Sequence, residues 1–307
     1  MRIIITGGTG LLGRRLAASL LLDGHEVIIL SRAPDQARNV PAGARLEAWD
    51  GRSAQGWGGM ADGAGAVVNL AGEPLGGTGF LPPRWTQAVK DRINQSRSSA
   101  GQACVEAIRA AKKKPEVLVQ AAAIGYYGAR KGDELLTEQS TAGDDFQAQV
   151  CVAWEASSAA VEEFGVRRVL LRTGLVMDGH GGIYPRLALP FKLFAGGPLG
   201  DGRQWMSWIH INDEIAAIRS LIQQKSASGP YNLTAPNPVQ NREFARVLGR
   251  TLHRPALIPT PAFAFQLMLG EVATLVLDGQ RVIPQRLQEM GFKFKYETLE
   301  PALRALE

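Results

Sequence analysis

A glycine-rich segment near the N-terminus constrains the fold more than any other feature of the chain. Residues 6–13 read Thr-Gly-Gly-Thr-Gly-Leu-Leu-Gly, directly after an apolar run and before a stretch with helical spacing. Glycines at this spacing permit a tight turn and let backbone amides approach a pyrophosphate, which the positive end of the next helix favours. The segment therefore predicts a dinucleotide site rather than a simple strand-to-helix turn. The residues expected to contact the ligand here are Gly7, Gly10, Leu11, Leu12 and Gly13.

Short β-branched or apolar runs alternate with helical stretches along the first half of the chain. These runs are Arg2 to Thr6, Glu26 to Leu30, Arg45 to Ala48, Ala66 to Leu70, Val117 to Ala121 and Arg168 to Arg172. Such alternation predicts an α/β fold with a Rossmann-type, doubly wound parallel sheet that is covered by helices on both faces. A chain of 307 residues is long enough for this domain and a smaller lobe.

The composition changes near residue 174. Seven glycines and three prolines fall within residues 179–202, which indicates a long loop that leaves the sheet. We expect the chain to return and complete the sheet at about 207–228, and a lobe punctuated by prolines to follow. The sequence thus predicts a dinucleotide-binding domain over 1–174 and a substrate-binding lobe formed by 175–206 and 229–307.

The end of the second predicted strand carries a hydroxyl and a guanidinium where an NAD site has an acid. In NAD sites an acidic residue about 20 residues past the glycines accepts a hydrogen bond from the ribose 2′-hydroxyl. Here the strand ends in Ser31-Arg32, which can hold a 2′-phosphate by charge-assisted hydrogen bonds. We therefore predict NADP(H) as the cofactor. Two alternatives stay open: Asp35 could serve an NAD site, and Arg32 could be a solvated strand end.

Charge and hydropathy argue against several classes of partner. The formal net charge is only +5, and the cationic run Lys112 to Lys114 lies at the end of a predicted helix, so nucleic acid is not favoured. The near-apolar run Leu16 to Leu22 is far shorter than the ~20 residues of a membrane span, and we expect no membrane partner. Because Cys104 and Cys151 cannot form a disulfide framework and Ile3 to Ile5 leave no room for a leader, we expect a cytoplasmic protein.

Further motifs follow the glycine segment along nearly the whole chain. They are Asn69 to Glu73, Trp85 with Arg92 and Arg97, Ala123 to Gly128, Trp154-Glu155, Leu171 to Gly174, Gly196 to Gly200, Trp208 to Ile211 and Val282 to Arg286. In this order they resemble the extended and atypical short-chain dehydrogenase/reductases, and within them a sugar-epimerase-like family of poorly defined activity. The resemblance implies a Rossmann domain, a C-terminal substrate lobe and NADP dependence. It further implies cofactor contacts from Leu70, Ala71, Gly72, Arg92 and Arg97, although solvated helical arginines are the alternative for the last two.

The larger superfamily uses a tyrosine and a lysine four residues apart on a helix, with a serine or threonine at a strand end. An i, i+4 pair lies on one helical face, so the ammonium lowers the pKa of the phenol while the hydroxyl polarises a carbonyl oxygen. In this chain the corresponding helix, 144–163, holds neither residue, and 120–123 read Gln-Ala-Ala-Ala. Tyr127 and Lys131 have the right spacing, but the surrounding glycines disfavour a helix. The catalytic residues are left unassigned.

Three residues are candidates for the substrate pocket. Glu73 follows the fourth strand at the edge where ligands bind, with a helix-start carboxylate as the equal alternative. Tyr127 follows the fifth strand, and Trp205 precedes the return to the sheet, where an indole could cover a ligand or pack in the core. The four histidines are isolated, so we expect no metal site and interpret His210 as structural.

Two functions stay open at this point. The first is an NADP(H)-dependent, epimerase-like oxidoreductase that acts on a small polar or sugar-nucleotide-like substrate without the usual Ser, Tyr and Lys groups. The second is a non-catalytic NADP(H)-binding regulatory or scaffold protein, since relatives that resemble this chain have been linked to cell or plastid division. The missing groups favour the second function, and the complete substrate lobe favours the first. A homo-oligomer is compatible with both.

Overall fold

The computed structural model describes residues 1–77, 79, 82–129 and 132–307. In chain order its strands are β1 (Arg2–Thr6), β2 (Glu26–Ser31), β3 (Arg45–Ala48), β4 (Ala66–Asn69), β5 (Val117–Ala123), β6 (Leu135–Leu136), β7 (Arg167–Thr173), β8 (Leu175–Asp178), β9 (Gly181–Gly182), β10 (Trp205–Met206), β11 (Trp208–His210), β12 (Gly229–Leu233), β13 (Val239–Gln240) and β14 (Arg281–Val282). Its helices are α1 (Leu11–Leu22), α2 (Gln87–Ala110), α3 (Phe146–Ala156), α4 (Tyr184–Lys192), α5 (Ile211–Gln223), α6 (Asn241–Thr251), α7 (Ala262–Leu269), α8 (Thr274–Leu277), α9 (Gln285–Glu289) and α10 (Leu299–Arg304). Short 3₁₀ turns lie at Pro34–Gln36, Gly58–Ala61, Ile124–Tyr127, Ala159–Phe164 and Gly270–Ala273.

Seven parallel strands form the central sheet, in the order β12-β7-β5-β4-β1-β2-β3. The strand order reverses between β1 and β4, which creates the crevice where open α/β sheets bind ligands. The register places Thr6 beside Asn69, and Asn69 beside Gln120. It also pairs Ala123 with Thr173, so the carboxyl ends of β1, β4, β5 and β7 share one edge. This topology confirms the predicted doubly wound α/β fold.

Both faces of the sheet are buried, which explains why its strands read as continuous apolar runs. Successive side chains of β1 point to opposite faces. Ile3 and Ile5 pack with Leu16 of α1 and Leu221 of α5 on one face. Ile4 packs on the other face with residues of α2. Within the described part of the chain, no helix combines the length and the apolar composition that crossing a membrane requires.

The C-terminal part of the chain adds smaller sheets and a separate core. Strand β8 pairs with β9 and β11, β10 pairs with β13, and β14 pairs with β6. The prediction that residues 207–228 complete the central sheet is wrong, because Gly229–Leu233 is the seventh strand. Trp208–His210 pairs with Leu175–Met177 instead, and α5 covers the sheet. The division of the chain into two domains stays a prediction.

Candidate functional site

Three glycines in the turn after β1 and the first turn of α1 have different roles. Gly7 has a φ of +65°, and a Cβ atom there would lie 2.7 Å from the carbonyl group of Leu70. Gly13 lets α1 approach the turn, since a Cβ there would lie 2.5 Å from the Cα of Gly8. A Cβ on Gly10 would meet only the Gly7 oxygen, at 3.2 Å, and no other described atom within 4 Å. The turn therefore leaves open space in front of Gly10.

The N-terminus of α1 faces the same turn. Gly10 is its N-cap and offers no side chain to the amides of the first turn. These amides and the positive end of the helix dipole favour an anion. The side chain of Leu11 lies against Gly181, and that of Leu12 packs on the core of the sheet. Contacts from these two leucines to an anion at the turn therefore come from their backbone.

Three buried polar side chains connect the ends of β1 and β4 with the middle of β5. Thr6 donates a hydrogen bond of 2.5 Å to Asn69 Oδ1, and Asn69 Nδ2 donates one of 2.9 Å to Gln120 Oε1. The backbone amide of Ala71 lies 3.3 Å from both Thr6 Oγ1 and Asn69 Oδ1. Because buried polar groups are costly when unpaired, this chain of bonds fixes where the backbone leaves β4. The sequence analysis assigned no role to the side chains of Thr6 and Gln120, whose only signal is a polar residue in a largely apolar strand.

Two adjacent residues of α2 hold the backbone of Glu73. Its amide donates to Ser96 Oγ at 3.0 Å, and its carbonyl accepts from Arg97 at 2.9 Å. Arg97 is only 6% exposed, and its guanidinium lies 4.6 Å from the ring centre of Trp154. Burial lowers the pKa of Arg97 to about 10, and its Nε has no hydrogen-bond partner in the described part of the chain. The structure thus places Arg97 beneath the loop after β4, where it positions backbone.

Arg92 lies on the solvent side of the same loop. Its Nε is 3.4 Å from Glu73 Oε1, and both side chains are well exposed. Exposed ion pairs of this kind contribute at most about 1 kcal/mol. Arg92 therefore contacts the predicted pocket residue Glu73 but adds little to the stability of the loop.

One cleft of about 560 Å³ brings together most of the predicted cofactor residues. It is lined by Gly7, Thr9, Gly10, Leu30, Ser31, Arg32, Trp49, Gly51, Leu70, Ala71, Gly72, Glu73, Pro74 and Ser96. The ends of β1, β2 and β4 and the start of α1 meet there. Arg92, Arg97, Tyr127 and Trp205 are not among the lining residues.

The end of β2 supplies the one cation that lines this cleft among the described residues. The stem of Arg32 lies against Gly51, and its guanidinium makes no hydrogen bond or ion pair to any residue that the structure describes. Ser31 is buried beside it and accepts a hydrogen bond from the amide of Ala33. Asp35 is exposed in a 3₁₀ turn and does not line the cleft. An unpaired guanidinium beside a hydroxyl is suited to an anionic ligand.

The end of β5 presents groups of another kind. A Cβ on Gly125 would lie 3.5 Å from both Cys151 Sγ and Gln147 Cβ, so α3 directs this i, i+4 pair at the turn after β5. Gln147 Nε2 donates to Thr274 Oγ1 at 3.3 Å. Burial raises the pKa of the Cys151 thiol to about 12, so the thiol stays protonated at neutral pH. The i, i+4 positions that face the turn are thus occupied by an amide and an inert thiol.

Tyr127 is fully buried and lies in an internal network. Its hydroxyl donates to Asn232 Oδ1 at 2.6 Å and accepts from Arg172 at 3.1 Å. Arg172 also forms two bonds to the Glu155 carboxylate, of 2.8 and 3.0 Å. Burial raises the pKa of Tyr127 to about 12. The structure therefore places Tyr127 away from the cleft, and Lys131 lies outside the described residues.

Trp205 lines a different and larger pocket, of about 770 Å³, in the C-terminal part of the chain. Its Nε1 donates to Asp133 Oδ1 at 2.9 Å, and the guanidinium of Arg281 lies 4.6 Å from the centre of its ring. Arg203 and Arg242 also line the pocket, and neither side chain forms an ion pair with a described residue. The pocket combines an anchored indole with two cations and three acidic residues, Asp133, Asp201 and Asp278.

His210 has a structural role at the start of α5. It is 2% exposed, caps α5 by accepting from the amide of Asn212, and stacks on Tyr296 at 4.0 Å. Burial lowers its pKa to about 4, so it is neutral at pH 7. Across the residues that the structure describes, no group of three or more His, Cys, Asp or Glu is placed to hold a metal ion.

Comparison with known proteins assigns the chain to a family. Residues 3–234 match the NAD dependent epimerase/dehydratase family. The chain belongs to this family. Residues 260–306 of this epimerase-family chain match a domain of unknown function, DUF1731. The match confirms the resemblance inferred from the sequence motifs.

Relatives of this epimerase-family chain span its full length. It is 39% identical over 308 residues to the chloroplastic epimerase family protein SDR39U1 homolog of Arabidopsis thaliana, with 100% of this chain and 86% of the relative covered. It is 37% identical over 315 residues to epimerase family protein YfhF of Bacillus subtilis, with 100% and 98% covered.

Solved structures of epimerase proteins have the same fold. The crystal structure of human epimerase family protein SDR39U1 (isoform 2) with NADPH superposes with a TM-score of 0.87 at 31% identity, covering 100% of this chain and 99% of the human chain. The nucleoside-diphosphate sugar epimerase of Corynebacterium glutamicum superposes with a TM-score of 0.78 at 34% identity, covering 100% and 58%.

Proposed function

We propose that this epimerase-family protein binds NADP(H) in the 560 Å³ cleft. The observation that carries the proposal is the guanidinium of Arg32 beside Ser31 at the end of β2, which has no ion-pair or hydrogen-bond partner among the described residues. A 2′-phosphate gives that guanidinium an anionic partner, whereas a ribose 2′-hydroxyl does not. The NADPH that accompanies the human relative in its crystal structure supports the same choice.

The residues of the cleft fit the rest of such a cofactor. The open space at Gly10 and the first-turn amides of α1 suit a pyrophosphate. The backbone of Leu70 to Gly72 is held in place by Thr6 and Asn69. It would contact the half of the cofactor that lies on the other side of the pyrophosphate. Bound NADP(H) would supply or accept a hydride. The chain's own part is to hold the cofactor and to orient a second ligand.

We place that second ligand in the 770 Å³ pocket. Arg203 and Arg242 suit an anionic group, the three aspartates that line the pocket suit hydroxyl groups, and Trp205 offers an apolar face. Gln280 donates to the carbonyl of Gly128, and Asp133 bonds Trp205, so the pocket borders the segment that follows β5. A small polar or sugar-nucleotide-like ligand has this combination of groups. The proposed activity is therefore an epimerase-like oxidoreductase reaction on such a ligand.

One observation favours a second candidate, a non-catalytic NADP(H)-binding regulatory or scaffold protein. At the end of β5, Ala123, Gln147 and Cys151 offer no group that exchanges a proton near neutral pH. General acid–base assistance contributes about 10² to 10⁴ in rate, so hydride transfer without it would be slow. Both candidate functions require the same cofactor, but only the first predicts catalytic turnover.

Calorimetric titration tests the cofactor. We expect NADPH to bind the wild type at least about tenfold more tightly than NADH, since one charge-assisted contact of ~1.4 kcal/mol gives that ratio. The Arg32→Ala variant should lose this preference. Arg38→Ala is the matched control, because Arg38 is exposed in the same region and does not line the cleft. Equal affinities of the wild type for both cofactors would refute the assignment.

A turnover assay separates the two candidate functions. The protein, loaded with the cofactor that it retains, is mixed with a panel of carbonyl compounds and nucleotide sugars. The absorbance of the reduced nicotinamide reports net oxidation or reduction, and chromatography of the recovered sugars reports epimerisation, which returns the cofactor to its starting state. Turnover of any member that fails in an Arg203→Ala, Arg242→Ala double variant supports the proposed reaction at the 770 Å³ pocket. Tight cofactor binding with no turnover across the panel supports the regulatory or scaffold function.

A further inference from the structure

A tight turn after β3 forms one wall of the 560 Å³ cleft. We call residues 49–53, Trp-Asp-Gly-Arg-Ser, the β3 turn. Trp49 and Gly51 line the cleft together with Ser31 and Arg32. The amide of Trp49 donates to the carbonyl of Ser31 at 2.9 Å, so the turn begins beside the end of β2. The bonds that hold this turn therefore also shape the part of the cleft beside Arg32.

The side chain of Asp50 is used inside the β3 turn. Its Oδ1 accepts from the amides of Arg52, at 2.7 Å, and Ser53, at 2.9 Å. Its Oδ2 accepts a third bond, of 2.7 Å, from Ser53 Oγ. The bond from the Ser53 amide, followed by that from the Arg52 amide, lowers the pKa of Asp50, because both favour the ionised carboxylate. Asp50 does not line the cleft, and within the described residues no ion pair joins it to Arg32.

Two tryptophans hold the far end of the β3 turn. The indole nitrogens of Trp49 and Trp57 both donate to the carbonyl of Ser53, at 2.7 and 2.9 Å. Trp57 is fully buried, and the two rings meet edge to face with their centres 6.2 Å apart. The turn is thus held at its start by Ser31, in its middle by Asp50 and at its end by the two indoles.

The stem of Arg32 lies on this turn at Gly51. Gly51 has a φ of +80°, and a Cβ atom there would lie 3.3 Å from Arg32 Cδ and 3.6 Å from Arg32 Cγ. Glycine is therefore required twice, for the left-handed backbone and for the close approach of the stem. Because Asp50 already accepts three bonds within the turn, this neighbouring carboxylate leaves the guanidinium of Arg32 free for a ligand.

We propose that the β3 turn positions the guanidinium of Arg32 for a 2′-phosphate, with Asp50 as the positioning residue. The inference rests on the proposed NADP(H) site and adds what sets the preference for NADPH over NADH. A long side chain that must be ordered on binding costs on the order of twofold to tenfold in affinity. A fixed surface that restrains the stem of Arg32 removes part of this cost. Asp50 thus acts on the cofactor through Arg32.

The charge of Asp50 and its role in the turn have opposite effects on NADPH. A carboxylate near a phosphate repels it, so the loss of the charge alone would strengthen NADPH binding. Loss of the turn would release the stem of Arg32 and weaken NADPH binding. The sign of the change in an Asp50→Ala variant therefore separates the two effects.

Calorimetric titration of the full chain with NADPH and with NADH measures the preference as the ratio of the two dissociation constants. We expect Asp50→Ala to lower the preference for NADPH by roughly threefold to tenfold and to leave the affinity for NADH unchanged. Asp50→Asn should keep most of the preference, because an amide oxygen still accepts from the two backbone amides. Asp35→Ala is the matched control, since it removes an exposed carboxylate that does not line the cleft.

Gly51→Ala and Gly56→Ala form a second matched pair. Both glycines have a left-handed φ, of +80° and +82°, so both variants carry the same backbone strain. A Cβ on Gly56 would meet no described atom within 4 Å, whereas one on Gly51 would meet the stem of Arg32. We expect only Gly51→Ala to lower the preference for NADPH. Circular dichroism and the Tm establish that each variant is folded.

The outcomes separate this inference from the proposed cofactor site. If Arg32→Ala loses the preference but Asp50→Ala keeps or strengthens it, the positioning role is wrong and the NADP(H) site stands. In the Arg32→Ala background, Asp50→Ala should change neither affinity, and a further loss there would show that Asp50 does not act through Arg32. If the wild type has no preference, or Arg32→Ala retains it, the proposed cofactor site fails and this inference fails with it.

Discussion

Glu214 is a buried acid that pairs with no cation in the described part of the chain. It is fully buried in the first turn of α5. Its Oε1 accepts from Thr173 Oγ1 at 2.8 Å, and its Oε2 has no partner among the residues that the structure describes. Burial raises the pKa of Glu214 to about 8, and the bond from Thr173 offsets part of that rise. The carboxyl group is therefore mostly protonated in the folded protein at pH 7.

This burial makes the stability depend on pH with a definite sign. In the unfolded chain the pKa of Glu214 returns to its ordinary value of 4.5. Between pH 4.5 and about 8 the folded state keeps a proton that the unfolded state has released. The free energy of unfolding therefore falls as pH rises through this window, by about 1.4 kcal/mol per unit. Between about pH 5 and about pH 8, the free energy of unfolding therefore falls by on the order of 4 kcal/mol in total.

Urea denaturation of the wild type and of Glu214→Gln at pH 5, 7 and 9 measures this effect. The amide keeps the acceptor for Thr173 and cannot ionise. We expect the two proteins to differ little at pH 5, and the variant to be more stable at pH 9 by on the order of 4 kcal/mol. Subtracting the free energy of unfolding of one protein from that of the other cancels the contributions of every other titrating group.

Thr173→Val is the companion variant. Because the hydroxyl stabilises the ionised carboxylate, its loss should destabilise the protein at pH 9 more than at pH 5. Parallel pH profiles for the wild type and Glu214→Gln would refute the reasoning, since Glu214 would then ionise equally in both states.

Two further substitutions test the cleft and the interior. Gly10→Val should abolish NADPH binding in calorimetry while the far-ultraviolet circular dichroism stays native, because the new side chain fills the open space in front of the turn; retained affinity would mean that the cofactor lies elsewhere. Glu155→Gln should lower the free energy of unfolding by about 3 kcal/mol or more in urea, because it leaves Arg172 buried without its anion. A change below about 1 kcal/mol would show that Arg172 finds another partner.

The central strands were predictable because both faces of the sheet are buried and each strand is a run of apolar residues. The seventh strand was not. It begins with Gly229-Pro230, a pair that indicates a turn. Because β12 is an edge strand, a proline in it need not interrupt the hydrogen bonds that join neighbouring strands of the sheet. Trp208–His210, which has the more strand-like composition, pairs with β8 instead.

The glycine turn and the end of β2 were predictable for a related reason. Each is a local pattern whose role follows from its own backbone, and Gly7, Gly10 and Arg32 line one cleft. Their contacts with a cofactor stay a prediction. Arg97 and Tyr127 depend on partners far along the chain. Arg97 is covered by Trp154, and Tyr127 bonds Asn232, 105 residues away. No spacing rule reports such contacts, so their burial could only be found in the folded chain.

The carboxyl edge of the sheet has two halves, which differ in whether their polar groups are already bonded within the protein. Around β1 and β2, the space at Gly10 is open and the guanidinium of Arg32 is unpaired among the described residues, so an anion can bind there without breaking an internal bond. Around β5 and β7, Thr173 already donates to Glu214, and Gln147 already donates to Thr274. Either group must give up such a bond before it can serve a substrate, and a typical bond contributes about 1 kcal/mol. A substrate that uses this half must therefore offset that rearrangement with its own contacts.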